Sequence, residues 1–404
     1  MKYLFLLPFF IISIFDAMAQ SQNNFSLGFA DSVKSDILKE QRQLLIYTPY
    51  QGKKSRAATK DSYPVIYVLD GENNFRSVAI TIERLADMGL CPPMIVVGIP
   101  NTNRSRDLTP TTVANNTDGV LNSGGGERFL SFIEKELIPH IDSNYLTAPY
   151  KLFMGHSLGG LMVVHTMVHH KALFNGYIAI EPAIWWDNHK VLNEANSAIE
   201  KDSYANKTLF LAIANHMERG VDTTAVQADT SDQTELTRYN LDLIHHVHKH
   251  PENKLRFKEV YYANDNHQTV PLIAAYDALR FVFDYYVFPR YSEYQITNPN
   301  LASVITNHYR KITEELGYQV LPNVSLVNNL GYYALRSKQY DVAGDLFALN
   351  VRNYPKDANL QDSYGDYYLA KDDKKNAIMC FKKALSITEI PETRAKLNLL
   401  LKGK

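Results

Sequence analysis

The chain holds 404 residues, 45% of them hydrophobic and 21% charged, with a formal net charge of −1. That is more than one ordinary domain, with ample material for an apolar core. The charge balance offers no basic surplus for nucleic acid and no like-charge run of the kind that marks a disordered tail. The first elements read differently from the rest. Lys2 precedes the apolar run Tyr3–Phe15, and Ala17-Met18-Ala19 supplies small residues at a cut site, so residues 1–19 are expected to be a secretory signal. Gln20 would start the mature chain, placing the protein in the periplasm or outside the cell with no integral membrane segment after cleavage. Cys91 and Cys380 are the only cysteines. They fall in different predicted domains, so no disulfide framework is indicated.

Residues 38–49 mix polar and apolar side chains in rough alternation and read as an early strand. Residues 64–69, 94–99, 152–154, 177–180, 208–213 and 255–262 are short, mostly apolar and rich in β-branched or aromatic residues. They read as central strands of a mostly parallel sheet. Helical patterns separate them: residues 127–138 place Phe129, Ile133 and Leu137 on one stripe, 158–168 is apolar nearly all round, and 273–286 is a third. Strand and helix in alternation predict an α/β domain over residues 20–292.

After residue 290 the strand-like runs stop. Leu330, Gly331, Ala343, Phe347 and Pro355 match the spacing of Leu, Gly, Ala, Phe and Pro in tetratricopeptide repeats. A shift of 34 residues places Gly331 on Gly365, Ala343 on Ala377 and Phe347 on Phe381, with Tyr368 and Ala384 in two more pattern positions. Val327 stands where the pattern has Trp, Asn350 where it has Ala, and Glu389 where it has Pro. Residues 293–404 are therefore expected to form an all-α repeat domain, with helices 301–316 and 392–401 covering faces that two repeats leave open. Such repeats present concave surfaces, and a protein partner is one use for them.

The chemistry centres on Gly155-His156-Ser157-Leu158-Gly159. A serine between a strand and a buried helix, with glycine two before and two after, sits on a tight turn that leaves its Oγ exposed. A serine hydroxyl needs a base. On a strand–turn–helix of this kind the order along the chain is Ser, acid, His. His267 follows the last strand, on the loop 263–271, and is the expected base. The acid is expected on the loop after strand 208–214, where Asp222 is preferred, Glu218 is the alternative, and a Ser–His dyad is the third possibility. Asp265 lies too close to His267 along the chain to orient it. Two backbone N–H groups must meet the oxyanion. Leu158 supplies one, and the turn Asp70-Gly71-Glu72 offers the other at Glu72.

These segments together resemble the Putative esterase family of the α/β-hydrolases, which includes enterochelin esterases, esterase D (S-formylglutathione hydrolase), feruloyl and acetyl-xylan esterases and mycolyltransferases. The residues that carry the resemblance are Tyr67–Gly71, Val96–Asn101 with Arg104–Pro110, Gly155–Gly159, Pro182–Trp186 and the His267 loop, spanning about residues 25–290. The resemblance implies an α/β-hydrolase fold and an acyl-enzyme mechanism on ester bonds. It supports Glu72 as the second oxyanion donor. It sets Trp185 and Trp186 beside the site as walls of the acyl or alcohol pocket, with an aromatic core position as the alternative. Glu181 departs from the family, which commonly has Ser before this Pro, and a carboxylate there would bear on substrate charge.

Other clusters are read as structural. His245, His246, His248 and His250 carry helical spacing without a completing carboxylate or cysteine nearby in sequence, so a solvated helix end is expected and no metal. His165, His169 and His170 lie on or near the helix behind Ser157 and are read the same way. Gly124-Gly125-Gly126 lacks a Walker lysine. No cofactor is implied. The expected function is an exported serine esterase for a small-molecule or polysaccharide-linked ester. A same-fold acyltransferase and a scaffold with a vestigial hydrolase domain are the alternatives.

Overall fold

A computed structural model describes residues 27–50, 62–113, 122–215, 226, 229–231, 234–288 and 295–402. The expected signal, residues 1–19, lies outside them, as does the expected domain boundary at residue 292. Among the described residues no helix is long and apolar enough to cross a membrane.

Eight strands form one sheet: β1 (Phe29–Ser35), β2 (Glu40–Tyr47), β3 (Tyr63–Leu69), β4 (Ile95–Ile99), β5 (Thr147–His156), β6 (Gly176–Ile180), β7 (Thr208–Ala214) and β8 (Arg256–Tyr262). Their order is β1-β2-β4-β3-β5-β6-β7-β8. β1 and β2 are antiparallel to their neighbours, and the pairings from β4 to β8 are parallel. The central strands are apolar on both faces because helices cover both. Val65, Tyr67, Phe153, Tyr177 and Leu209 face one layer, while Ile66, Val68, Leu152, Ile178 and Phe210 face the other. This is the period-2 alternation of a strand applied to a sheet buried twice. The first layer contains α3 (Gly126–Phe132), α5 (Leu158–His169), α6 (Trp186–Lys201) and α7 (Glu235–Lys249). A π-turn at Ile133–Leu137 joins α3 to α4 (Ile138–Asn144). The second layer contains α1 (Gly71–Asp87) and α8 (Val270–Val282). Short α2 (Arg104–Asp107) follows β4.

The expected strands all appear, and β1 is an addition. Its mostly half-buried FADSVKS sequence has neither an apolar run nor a clean alternation to make it stand out. The predicted stripe Phe129, Ile133 and Leu137 is buried.

A buried ion pair fixes the loop after β4. Arg42 on β2 and Asp107 on α2 are each 1% exposed, with Nη1 2.7 Å from Oδ2. Arg42 Nη2 also donates to the Pro100 carbonyl at 3.0 Å, and Arg106 donates to Asp107 and Glu40.

The C-terminal region is all helical: α9 (Leu301–Leu316), α10 (Val324–Arg336), α11 (Tyr340–Asn353), α12 (Ala358–Ala370), α13 (Lys374–Ile387) and α14 (Pro391–Lys402). Its glycines are where helices touch aromatic rings. A Cβ on Gly331 would lie 2.9 Å from the Phe347 ring, and one on Gly365 would lie 2.4 Å from that of Phe381. The same contact thus recurs 34 residues on, as the period predicts. Val327 fills its position as a fully buried apolar residue, and buried Asn350 donates to the Val324 carbonyl at 3.0 Å. α9 joins the two regions, because its Ile312 and Leu316 belong to the apolar cluster that also holds α1 and α8. A broad groove beside that junction is lined by Met88, Pro92, Tyr286, Tyr309, Tyr333 and Tyr354. Ser62 and Pro93 on its wall stand just before β3 and β4. The helical region therefore docks at the N-terminal ends of the parallel strands.

Replacing Asp107 by Ala removes the buried one of the two carboxylates on Arg42 and leaves Glu40 Oε1, 2.9 Å from Nη1, as its remaining anion. We expect a loss of about 1.5–3 kcal/mol, read as a lower urea midpoint with an unchanged slope.

Candidate active site

The parallel strands converge at their C-terminal ends, the edge where an open α/β sheet holds its ligands. Ser157 follows β5 with φ 57° and ψ −117°, outside the regions that side chains ordinarily adopt. Strain of this kind persists only where neighbours over-determine it. Here the Ser157 N–H donates to the Ile180 carbonyl (3.0 Å), and the Ser157 carbonyl accepts from Leu161 (2.9 Å) and Ala183 (3.1 Å). The flanking glycines have the predicted reason. A Cβ on Gly155 would lie 2.3 Å from the Gly159 carbonyl oxygen.

His267 lies on the loop after β8, whose turn is closed by Asn266 Oδ1 accepting from the Gln268 and Thr269 N–H groups. Asp265 is engaged within the same turn, accepting from the Thr269 hydroxyl at 2.9 Å. The His267 ring packs at a tilt of 45° against His156, the residue before Ser157, with centroids 4.3 Å apart. The structure therefore brings the Ser157 turn and the His267 loop together. Burial and the neighbouring His267 push the His156 imidazole down to about 4, so it is neutral at physiological pH. Its Nε2 is buried without a hydrogen-bond partner among the described residues.

The carboxylate that meets His267 is Glu181. Its Oε2 lies 3.2 Å from His267 Nδ1 and its Oε1 accepts the Ala214 N–H at 2.5 Å. Glu181 is 0% exposed, with φ 47° at the end of β6. Asp222, the preferred acid from chain order, and Glu218, its alternative, lie outside the described residues. Glu181 was legible as an oddity: a charged residue ending the wholly apolar run Gly176–Ile180 must find partners if that run is a core strand. Nothing local names the partner, which is 86 residues away.

The two expected oxyanion donors stand at adjacent helix starts. β3 and β5 are parallel neighbours, and α1 and α5 begin directly after them, so the Glu72 and Leu158 N–H groups lie in first turns that have no intrahelical acceptor. Gly71 is required where α1 starts, since a Cβ would lie 2.6 Å from the Ile99 nitrogen. Asp70, 4% exposed and with φ 52°, accepts from Asn101 Nδ2 (2.7 Å) and from Arg104 Nε (2.6 Å) and Nη2 (3.1 Å). Arg104 Nη2 also donates to the His156 carbonyl at 3.3 Å. One guanidinium thus ties the β3 turn to the serine turn. The Glu72 carboxylate is held by Asn101, leaving the backbone as its contribution.

Trp185 and Trp186 follow β6 and separate in environment. Trp186 is 3% exposed, packs in the core and donates to Thr111 Oγ1 at 3.1 Å. Trp185 is half-buried beside it, with ring centroids 6.0 Å apart. At the end of α7, His248 pairs with Glu259, and His250 with Glu252. His246 faces the Asn196 carbonyl and Glu200.

A parallel sheet with a strained serine turn, a histidine after the last strand and a buried carboxylate on that histidine defines the α/β-hydrolase class. Residues 35–267, more than half of the chain, match the family described as "Putative esterase", and the protein belongs to that family. Among curated relatives, the siderophore triacetylfusarinine C esterase of Aspergillus fumigatus is 30% identical over 34% of this chain and 50% of its own length. The ferri-bacillibactin esterase BesA of Bacillus subtilis is 30% identical over 42% of this chain and 64% of its own. The chain thus spans between half and two thirds of these relatives. An IroE-like serine hydrolase from Shewanella oneidensis superposes with a TM-score of 0.66 at 29% identity, covering 80% of this chain and 99% of that one. An uncharacterised protein from Capnocytophaga ochracea shares the fold at a TM-score of 0.62 and 20% identity, over 93% of this chain and 99% of its own. That coverage extends the likeness into the helical region.

Gly155→Ala places a methyl group against backbone that cannot retreat. We expect about 1–3 kcal/mol of destabilisation in chemical unfolding, with the activity tested below lost at temperatures where the variant is still folded.

Proposed function

We propose that the protein is an exported serine esterase that opens carboxylic esters through an acyl-enzyme. Ser157 Oγ attacks the ester carbonyl while His267 Nε2 takes its proton. The Glu181 carboxylate accepts the Nδ1–H, which selects the tautomer that carries its lone pair on Nε2 and stabilises the imidazolium as it forms. The Leu158 and Glu72 N–H groups hold the oxyanion. The tetrahedral adduct collapses, the C–O bond to the alcohol breaks, and the alcohol leaves with the proton from His267. Water then attacks the acyl carbonyl, giving its proton to His267, and Ser157 is released with that proton restored. The observation that carries this reading is Glu181 on His267 Nδ1, with the His267 ring packed against His156 beside the serine turn. Glu181 takes the role for which spacing favours Asp222.

The substrate class we infer is a siderophore-type ester, supported by the family and by relatives named for siderophore esters. Half-buried Trp185 is the aromatic wall available to it, while Trp186 acts from the core. The helical region, at the opposite ends of the strands, serves a protein partner or the packing of α9 and leaves the site open.

Purified protein should hydrolyse p-nitrophenyl acetate and a catecholate siderophore lactone, and Ser157→Ala should reduce both by at least about 10³-fold. A fluorophosphonate should add to Ser157 in the wild type and not in the variant. Turnover that survives Ser157→Ala sinks the mechanism. Cleavage of the acetate without the lactone removes the substrate class alone.

A further inference from the structure

At the far end of α5 from Ser157, two histidines one turn apart face a carboxylate on α6. His165 is 6% exposed. Its Nε2 lies 2.5 Å from Glu127 Oε1, and the other oxygen of Glu127 lies 3.0 Å from His170 Nε2. A glutamate at neutral pH only accepts hydrogen bonds, so the His165 Nε2 carries the proton and donates. The Nδ1 of the neutral ring is then a lone pair, and it is buried with no hydrogen-bond partner among the described residues. A buried acceptor of this kind costs free energy unless something fills it. The His169 ring stands beside it, with centroids 4.5 Å apart, and His169 Nε2 is 3.0 Å from Glu194 Oε2. One ligand atom from each of His165, His169 and Glu194 lies within 4.8 Å of the others.

We propose that His165, His169 and Glu194 form a divalent-metal site, with zinc as the preferred ion and water in the fourth position. Two imidazoles and one carboxylate suit zinc, and bonds of about 2.0–2.1 Å put two ligands of a tetrahedral ion roughly 3.3 Å apart. The His169–Glu194 distance of 3.0 Å is already close to that, and the His165 ligand atom, within 4.8 Å of both, has to move in by side-chain rotation to complete the site. Glu127 plays the outer part found around metal-bound histidines, holding the non-ligating N–H and aiming the ring. The ion would pin α5, which begins at the nucleophile, to α6, which follows the Trp185 segment. The cluster of Glu200, His246 and His250 is a poorer site, because His246 Nε2 faces the Asn196 carbonyl and its members are half or fully exposed.

The test is zinc titration of chelator-stripped full-length protein by calorimetry, with circular dichroism to check folding. The wild type should bind one equivalent that raises its thermal midpoint. His169→Gln and Glu194→Gln alter partly exposed side chains and should each weaken that equivalent by more than about 100-fold. Glu127→Gln should weaken it by roughly 10–100-fold, and His246→Gln should leave it unchanged. Absence of saturable zinc binding in the wild type overturns the site. So does an equivalent that persists in both His169→Gln and Glu194→Gln, or one that is lost only in His246→Gln. The readout is binding and does not depend on the esterase reading.

Discussion

Glu181 sits with no exposure to solvent at the point where three strands end. A buried carboxylate is costly unless hydrogen bonds and an opposite charge compensate it. Its partners are the Ala214 N–H at the end of β7 and His267 on the loop after β8. Its own N–H donates to the Ala212 carbonyl, and the carbonyl of the preceding residue, Ile180, accepts from Ser157. The side chain thus joins the β7 end to the histidine loop, while the backbone at Ile180 and Glu181 ties β6 to the serine turn and to β7. Its left-handed backbone directs it inward, and the following Pro182 carries the chain out toward the tryptophans.

A second set of charges holds the other side of the site. The buried Arg42–Asp107 pair anchors α2, α2 presents Arg104, and Arg104 grips Asp70 and the His156 carbonyl. The turns after β3 and β5, whose helix starts carry the proposed oxyanion donors, are thereby locked to each other. The segment Arg104–Pro110, visible in the sequence as a family motif, owes its charged residues to this frame. The helical region takes no part in it and packs through α9 against the second layer.

The central strands, the elbow at Ser157 and the histidine loop are legible because each is local: an apolar run, a glycine spacing, a polar loop after the last strand. The repeat is legible because the Gly331–Phe347 contact recurs as Gly365–Phe381 at a fixed period. β1 is not, since an edge strand with mixed exposure has neither an apolar run nor a clean alternation. Glu181 illustrates the harder limit. The sequence marks it as a departure, and chain order points instead to the loop holding Asp222. Which carboxylate meets His267 is decided by packing between residues far apart in the chain. The tryptophan pair divides for the same reason: adjacent in sequence, Trp186 turns into the core and Trp185 stays at its rim.

The most direct measurement is the kcat/KM for ester hydrolysis of Glu181→Gln beside Asp222→Asn and Glu218→Gln, each with its folded fraction determined. The account predicts a fall of about 10²- to 10⁴-fold for Glu181→Gln, with the other two within a few-fold of wild type. A large loss in Asp222→Asn or Glu218→Gln, with Glu181→Gln folded and near wild type, would contradict it.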